Sequence, residues 1–294
     1  MTSRSTGIFP RRLNWFYVPA LVLFAVFSIY PLISGISLSL TNWNGYSRDK
    51  AFVGFDNYLR LLDDEVFRTA LVNTLIYGVG STVIQQVLGL SLAVVLDRIV
   101  RGAALLRAVI YLPVLVSPVV LGTMYYLIFR YNNGALNDVR ALFGAEQVAW
   151  LSDAGFAIPA IVVVNSLQFV GISMVIYLAG LQGVPAEYHE AAQLDGASWW
   201  QGFRSITVPL LQPAFATSIV LNLIGGLKLF DVVQVLTGGG PGQSTHSVST
   251  LIGERYFSNQ AAGYSAAIGV VLFILIVAVT FVLNTLLDRK RVEL

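Results

Sequence analysis

The sequence holds no cysteine, only two histidines and three lysines, and little charge of either sign: Asp, Glu, Lys and Arg together make up 12% of its 294 residues. Without cysteine there are no disulfides and no thiol chemistry, although the compartment of any outer loop stays undecided. His189 and His246 fall in different loops, on opposite sides of the apolar spans described next, so no metal or proton relay is supported. No catalytic and no metal-binding residue is assigned. A phosphate-binding loop needs Gly-x-x-x-x-Gly-Lys-[Ser/Thr]. Lys50, Lys228 and Lys290 are followed by Ala51, Leu229 and Arg291, so the chain carries no nucleotide-hydrolysing motif. A net charge of +2 gives no nucleic-acid signal.

What is abundant is apolar: 56% of the residues are hydrophobic and the mean hydropathy is +0.72. A soluble domain of this size would need more polar cover. Six charge-free stretches are long enough to cross about 30 Å of hydrocarbon, which takes roughly 20 helical residues. The spacing predicts an all-α integral membrane protein with spans at about 16–40, 70–96, 105–129, 156–181, 207–230 and 264–287. A tail over 1–12 precedes a single domain over 13–294. The first span is too long for a signal-peptide core and lacks a small-residue cleavage site, so it is kept as a helix. Prolines 31, 113, 118 and 159 predict kinks, and Gly78, Gly80, Gly89 and Ser91 predict close helix approach. The loop at Phe52–Phe67 reads as a short amphipathic helix on the outer surface.

Orientation follows from Lys and Arg on alternate sides. Arg4, Arg11, Arg12, Arg98, Arg101, Arg107, Arg204, Arg289, Lys290 and Arg291 fall on one side, against eight bases outnumbered by ten acids on the other. Both termini, and the polar segment between the fourth and fifth spans, are therefore expected in the cytoplasm. In that segment Glu187 to Leu194 predicts a short helix, Gly196 a break, and Ser198 onward a second helix that Pro209 ends. The result is a stiff elbow.

Glu190-Ala191-Ala192, then Asp195-Gly196-Ala197, then Ile206 and Val208-Pro209, resemble the "EAA" loop of permease subunits of binding-protein-dependent ABC importers. Val208 stands where Leu is common in that pattern. The resemblance implies the type I importer permease fold and a coupling loop over 185–205 that docks on a separate ATPase, with Glu187, Glu190, Ala191, Ala192, Asp195, Gly196 and Ala197 as coupling residues. It further implies a second permease subunit, two copies of the ATP-binding subunit and an extracytoplasmic solute-binding protein as partners. This chain would bind no cofactor itself; ATP and Mg would sit on the ATPase subunits.

A second string, Phe230-Asp231-Val232-Val233, then TGGGPGQST and Tyr256-Phe257, is similar to permeases of the carbohydrate branch, of the maltose and raffinose type. Residues "VGFDNYLRLL" near 53–62 occur in the same branch. The resemblance implies import of a sugar or a sugar-like solute such as a glycerol phosphate, and puts Gly238, Gly239, Gly240 and Pro241 at the outer mouth, where the binding protein docks. Within the spans, Asn73, Gln85, Gln86, Asn165, Gln168, Asn222 and Asn284 must face protein or water, because an unpaired amide in hydrocarbon is costly. Asn165, Gln168, Phe169 and Asn222 are the candidates for the substrate path, since amides and aromatic faces read sugars. Lys228 and Asp231 are spaced to pair on one helix face. An importer of a non-sugar solute remains an alternative. An ion-coupled secondary transporter is disfavoured, because no carboxylate falls inside the six spans.

Overall fold

Away from water each backbone amide must bond within its own segment, and the chain is helical accordingly. The computed structural model describes residues 17–99 and 101–288. The expected tail over 1–12 and the bases Arg289, Lys290 and Arg291 lie outside the described residues. The helices are α1 (Tyr17–Ser39), α2 (Asp56–Asp63), α3 (Glu65–Arg98), α4 (Ala103–Leu115), α5 (Pro118–Phe129), α6 (Ala135–Leu142), α7 (Ala154–Gln182), α8 (Ala186–Leu194), α9 (Trp199–Leu210), α10 (Gln212–Leu227), α11 (Asp231–Leu236), α12 (Val248–Gly253) and α13 (Ala262–Asp288). Thr41 and Phe52 form one isolated antiparallel bridge.

Four helices, α1, α3, α7 and α13, are long and apolar enough to cross a bilayer, and two bent pairs raise the number to six if each counts as one span. The stretch expected as one span over 105–129 is α4 and α5, meeting at 96°. The 96° break falls at Pro118, where the sequence predicts a kink, and is sharper than a kink within one continuous span. Ser117 precedes Pro118 and is held in extended backbone (ψ 131°), while Pro118 opens α5 at a position that needs no N–H. Pro113 and Pro159 stay inside helices that continue through them.

The second elbow helix passes Pro209 by one residue. α9 runs on to Leu210 and meets α10 at 65°. The helix accommodates Pro209 by a π-helical turn over Phe203–Thr207, in which the Val208 N–H reaches back five residues to the Phe203 carbonyl. An identical device precedes Pro31, where Tyr30 bonds to Ala25 across the π turn Ala25–Ile29. One wide turn moves the carbonyl that a proline ring would otherwise strike.

α3 and α7 form the central pair. Asp64 caps α3, its Oδ1 accepting from the Val66 and Phe67 amides at 2.9 and 3.1 Å. Gly89 of α3 lies so close to α7 that a Cβ there would collide with the Cβ of Ser173, and a Cβ on Gly226 of α10 would lie 2.7 Å from the Gly78 Cα of α3. Three helices thus meet at backbone contact distance. Replacing Gly89 by Val overpacks this crossing and is expected to cost roughly 3 kcal/mol, read as a lower thermal unfolding midpoint in detergent; an unchanged midpoint would contradict the crossing.

The loop after α1 is fixed to the bundle. The Asn57 amide donates to the Ser39 and Thr41 carbonyls at 2.8 and 2.9 Å, and Leu61 of α2 is buried with Phe67, Ala70 and Ile268. Phe52 and Phe55, which precede α2, are exposed.

Candidate coupling surface and central cavity

The elbow is built from local signals. α8 ends in a Schellman arrangement: the Gly196 N–H donates to Gln193 and the Ala197 N–H to Ala192, with Gly196 at φ +79°. Ser198 then opens α9 with a capping box, its own N–H donating to Gln201 Oε1 at 2.7 Å. Two helices are therefore joined by a turn that leaves little freedom. Glu187, Glu190, Ala191, Asp195 and Gly196 are exposed, Ala192 and Ala197 half-buried, and no residue of α8 is buried. Leu194, 89% exposed, projects among them.

Behind this surface the elbow is tied to α3. The Arg98 guanidinium sits 4.1 Å from the ring centre of Trp199, which stacks on Phe203 at 5.3 Å. His189 Nε2 lies 3.5 Å from Thr207 Oγ1, joining α8 to α9. These contacts and Leu194 escaped the sequence reading, because nothing in the spacing says which end of which span lies under the elbow.

In the bundle Asn165, Gln168, Phe169 and Asn222 come together on one cavity of about 280 Å³, with Gln85 of α3, Pro118 of α5 and the turn after α10. Asn165 and Gln168 lie mid-way along α7. The Gln85 amide donates to the Asn165 carbonyl at 3.2 Å, and the Asn222 amide to Ser173 Oγ at 2.6 Å. Gln168 differs: it is 1% exposed, and both its side-chain oxygen and its nitrogen lack a hydrogen-bond partner. A buried unsatisfied polar group costs on the order of 1–3 kcal/mol, so this amide lowers stability rather than adding to it. Asn73 serves elsewhere, donating to the Ser244 and His246 carbonyls.

Lys228 and Asp231 do not form the expected pair. α10 ends at Leu227 and α11 begins at Asp231, so the two are not on one helix face; both line the cavity, and the ion pair between permanently charged groups among the described residues is Arg255–Asp64.

The glycine-rich loop is packed down on α3. Tyr77 of α3 donates to the Thr245 carbonyl at 2.8 Å, and Ser247 Oγ to the Leu229 carbonyl at 2.6 Å. Gly239, at φ +89°, is buried under the His246 ring, where any Cβ would collide; Gly240 is half-buried, and Gly238 and Pro241 are exposed. His246 Nδ1 lies 3.0 Å from Thr250 Oγ1, and its Nε2 3.4 Å from Glu254 Oε2.

Burial lowers the pKa of His246 below 6.5, Glu254 opposing and Arg255 adding to the shift, so the ring is neutral at pH 7. A folded-state pKa below the unfolded one contributes stability that is full above about 6.5 and is lost as pH falls through the folded value. The thermal midpoint in detergent is expected to drop between pH 7.5 and 5.5, and His246→Gln to flatten that dependence; a midpoint that rises on acidification would contradict it. Asp64 acts only in a lower window. Burial alone would raise its carboxyl, but Tyr264, the Phe67 and Val66 amides and Arg255 together hold it below 3.8.

Residues 85–293 match the family described as binding-protein-dependent transport system inner membrane component. The chain is 37% identical over 269 residues to a probable ABC transporter permease protein, YurN, of Bacillus subtilis, covering 90% of this chain and 92% of that one. It is 34% identical over 265 residues to the trehalose/maltose transport system permease protein MalF of Thermococcus litoralis, 90% of each chain, and 32% identical over 275 residues to the lactose transport system permease protein LacF of Rhizobium radiobacter, 91% of each. Its fold is that of a chain in a bacterial ABC transporter involved in import of the acidic polysaccharide alginate, with a TM-score of 0.82, 22% identity and coverage of 94% and 95%.

Proposed function

The chain belongs to the family of binding-protein-dependent transport system inner membrane components, and on that premise we propose that it is the permease subunit of an ATP-driven importer of a sugar or sugar-like solute. Relatives named for trehalose and maltose, lactose and multiple sugars support the substrate class. The observation that carries the reading is the convergence of Asn165, Gln168, Phe169 and Asn222 on one mid-bundle cavity. Amides there exchange hydrogen bonds with sugar hydroxyls, and Phe169 offers an apolar face.

Energy enters through the elbow. Glu187, Glu190 and Asp195 offer acceptors to Arg or Lys of an ATPase subunit, while Ala191, Ala192 and Leu194 allow close apolar contact. Closure of two ATP-binding subunits on ATP and Mg moves the elbow; the Arg98–Trp199 contact passes that motion to α3, and the 65° bend passes it to α10. Both α3 and α10 line the cavity, so motion of the elbow changes its access. A second permease encloses the other side of the path, and a solute-binding protein docks near Gly238 and Pro241. The distribution of Lys and Arg supports a cytoplasmic elbow and termini.

Isolation of the chain in mild detergent tests this. A second permease and an ATP-binding subunit are expected to co-purify, and the reconstituted complex to take up sugar only with ATP; hydrolysis of ATP by this chain alone would contradict the reading.

A further inference from the structure

Beyond the central cavity lies a larger cleft, about 560 Å³, at the other end of α5 and α11. We infer that this cleft is a second saccharide subsite, holding the trailing units of an oligosaccharide whose leading unit occupies the central cavity; the inference rests on the sugar-import reading above.

The two sites are joined by shared helices. α5 borders the central cavity at Pro118 and the cleft at Tyr126 and Arg130, and α11 borders the first at Val232 and the second at Leu236. Gly122 of α5 packs on Val235 of α11, which keeps the pair together. Eight residues of α5, from Pro118 to Tyr126, correspond to about 12 Å of helix. That separation suits a chain of pyranose rings and exceeds a single ring.

The lining has the chemistry of a sugar site. Tyr126 and Tyr131 are 44% and 47% exposed, so their rings are free to lie against the C–H face of a pyranose. Trp150 is itself braced: Phe129 and Phe156 meet it edge-on at 6.4 and 5.6 Å, and its indole N–H is already used at Asn137 Oδ1, 3.0 Å away. Its N–H is therefore no free donor, and the Arg140 guanidinium lies 5.9 Å from its ring centre, so Trp150 braces the cleft wall on which Tyr126 and Tyr131 stand. Arg130 spends its Nε on the Asn133 carbonyl at 3.2 Å and has no carboxylate partner among the described residues, which leaves its terminal amino groups for hydroxyls. Asn132 completes the polar side of the cleft; the Thr237 hydroxyl beside it is already bonded to the Val233 carbonyl and to Thr245.

The test uses the purified importer complex without its binding protein, titrated with maltose, maltotetraose, diacetylchitobiose and chitotetraose while tryptophan fluorescence is followed. In the series the importer takes up, the tetrasaccharide is expected to bind about tenfold more tightly than the disaccharide. Tyr126→Ala with Tyr131→Ala removes that advantage and leaves disaccharide affinity within about twofold, and the corresponding Phe pair restores it. The inference is overturned by equal affinity for both lengths, or by a length advantage that survives the alanine pair. It is also overturned if the alanine pair weakens only stimulation of ATP hydrolysis by the binding protein, which would make the cleft a seat for that protein. Uptake in proteoliposomes separates the two levels: sugar uptake without the length effect sinks the second subsite alone, and no uptake of any sugar sinks both readings.

Discussion

Gly196→Pro is expected to stop uptake while leaving the chain folded in the membrane. Gly196 sits at φ +79° and donates its N–H to Gln193, and proline supplies neither that angle nor that hydrogen. The local cost is roughly 3 kcal/mol, a factor on the order of 100 in the population of the docking geometry. Because Gly196 is exposed and no atom lies within 4 Å of a Cβ built on it, the damage stays in the turn. Glu190→Lys tests the same surface by charge: Glu190 is exposed and lies on α8, of which no residue is buried, so reversal weakens only docking. Uptake and ATPase assays on the reconstituted complex read both variants. Normal uptake with the two changes combined would exclude the elbow from coupling.

Gln168→Leu is expected to raise the thermal midpoint and to cut uptake by about tenfold, two effects that a structural amide would not combine. Its oxygen and nitrogen have no partner, so an apolar side chain of similar size removes a penalty on the order of 1–3 kcal/mol. Asn222→Leu makes the contrast. It breaks the bond to Ser173 and is expected to lower the midpoint while also reducing uptake. Replacing Asn165, Gln168 and Asn222 together by alanine should change substrate preference. Thermal unfolding and uptake of a sugar panel check these outcomes; a fall in stability with unchanged uptake for Gln168→Leu would remove it from the path.

The apolar spans were legible because a bilayer imposes length and composition directly, and the elbow because Gly196 and Ser198 are local punctuation. Local signals were less informative about angles. Pro118 announced an interruption, but only packing of α5 on α11 makes it a 96° bend, and the π turn over Phe203–Thr207 that carries α9 past Pro209 is not written in propensities. Lys228 and Asp231 were spaced for a helix that ends just before Lys228. The packing of the glycine-rich loop was opaque for another reason: Asn73 and Ser244 are 171 residues apart, and such pairings leave no periodicity to read. The four candidate path residues were chosen by type and depth in the span; their common cavity depends on the close approach of α7 and α10 to α3, at Gly89 and Gly226.

The absence of cysteine allows the central claim to be tested at a single position. With Ala191→Cys in the assembled importer, a short bifunctional thiol reagent is expected to join the elbow to the ATP-binding subunit, with a yield that changes when ATP is added. Labelling of that cysteine by a membrane-impermeant maleimide added outside intact cells, with no cross-link to the ATP-binding subunit, would contradict the account.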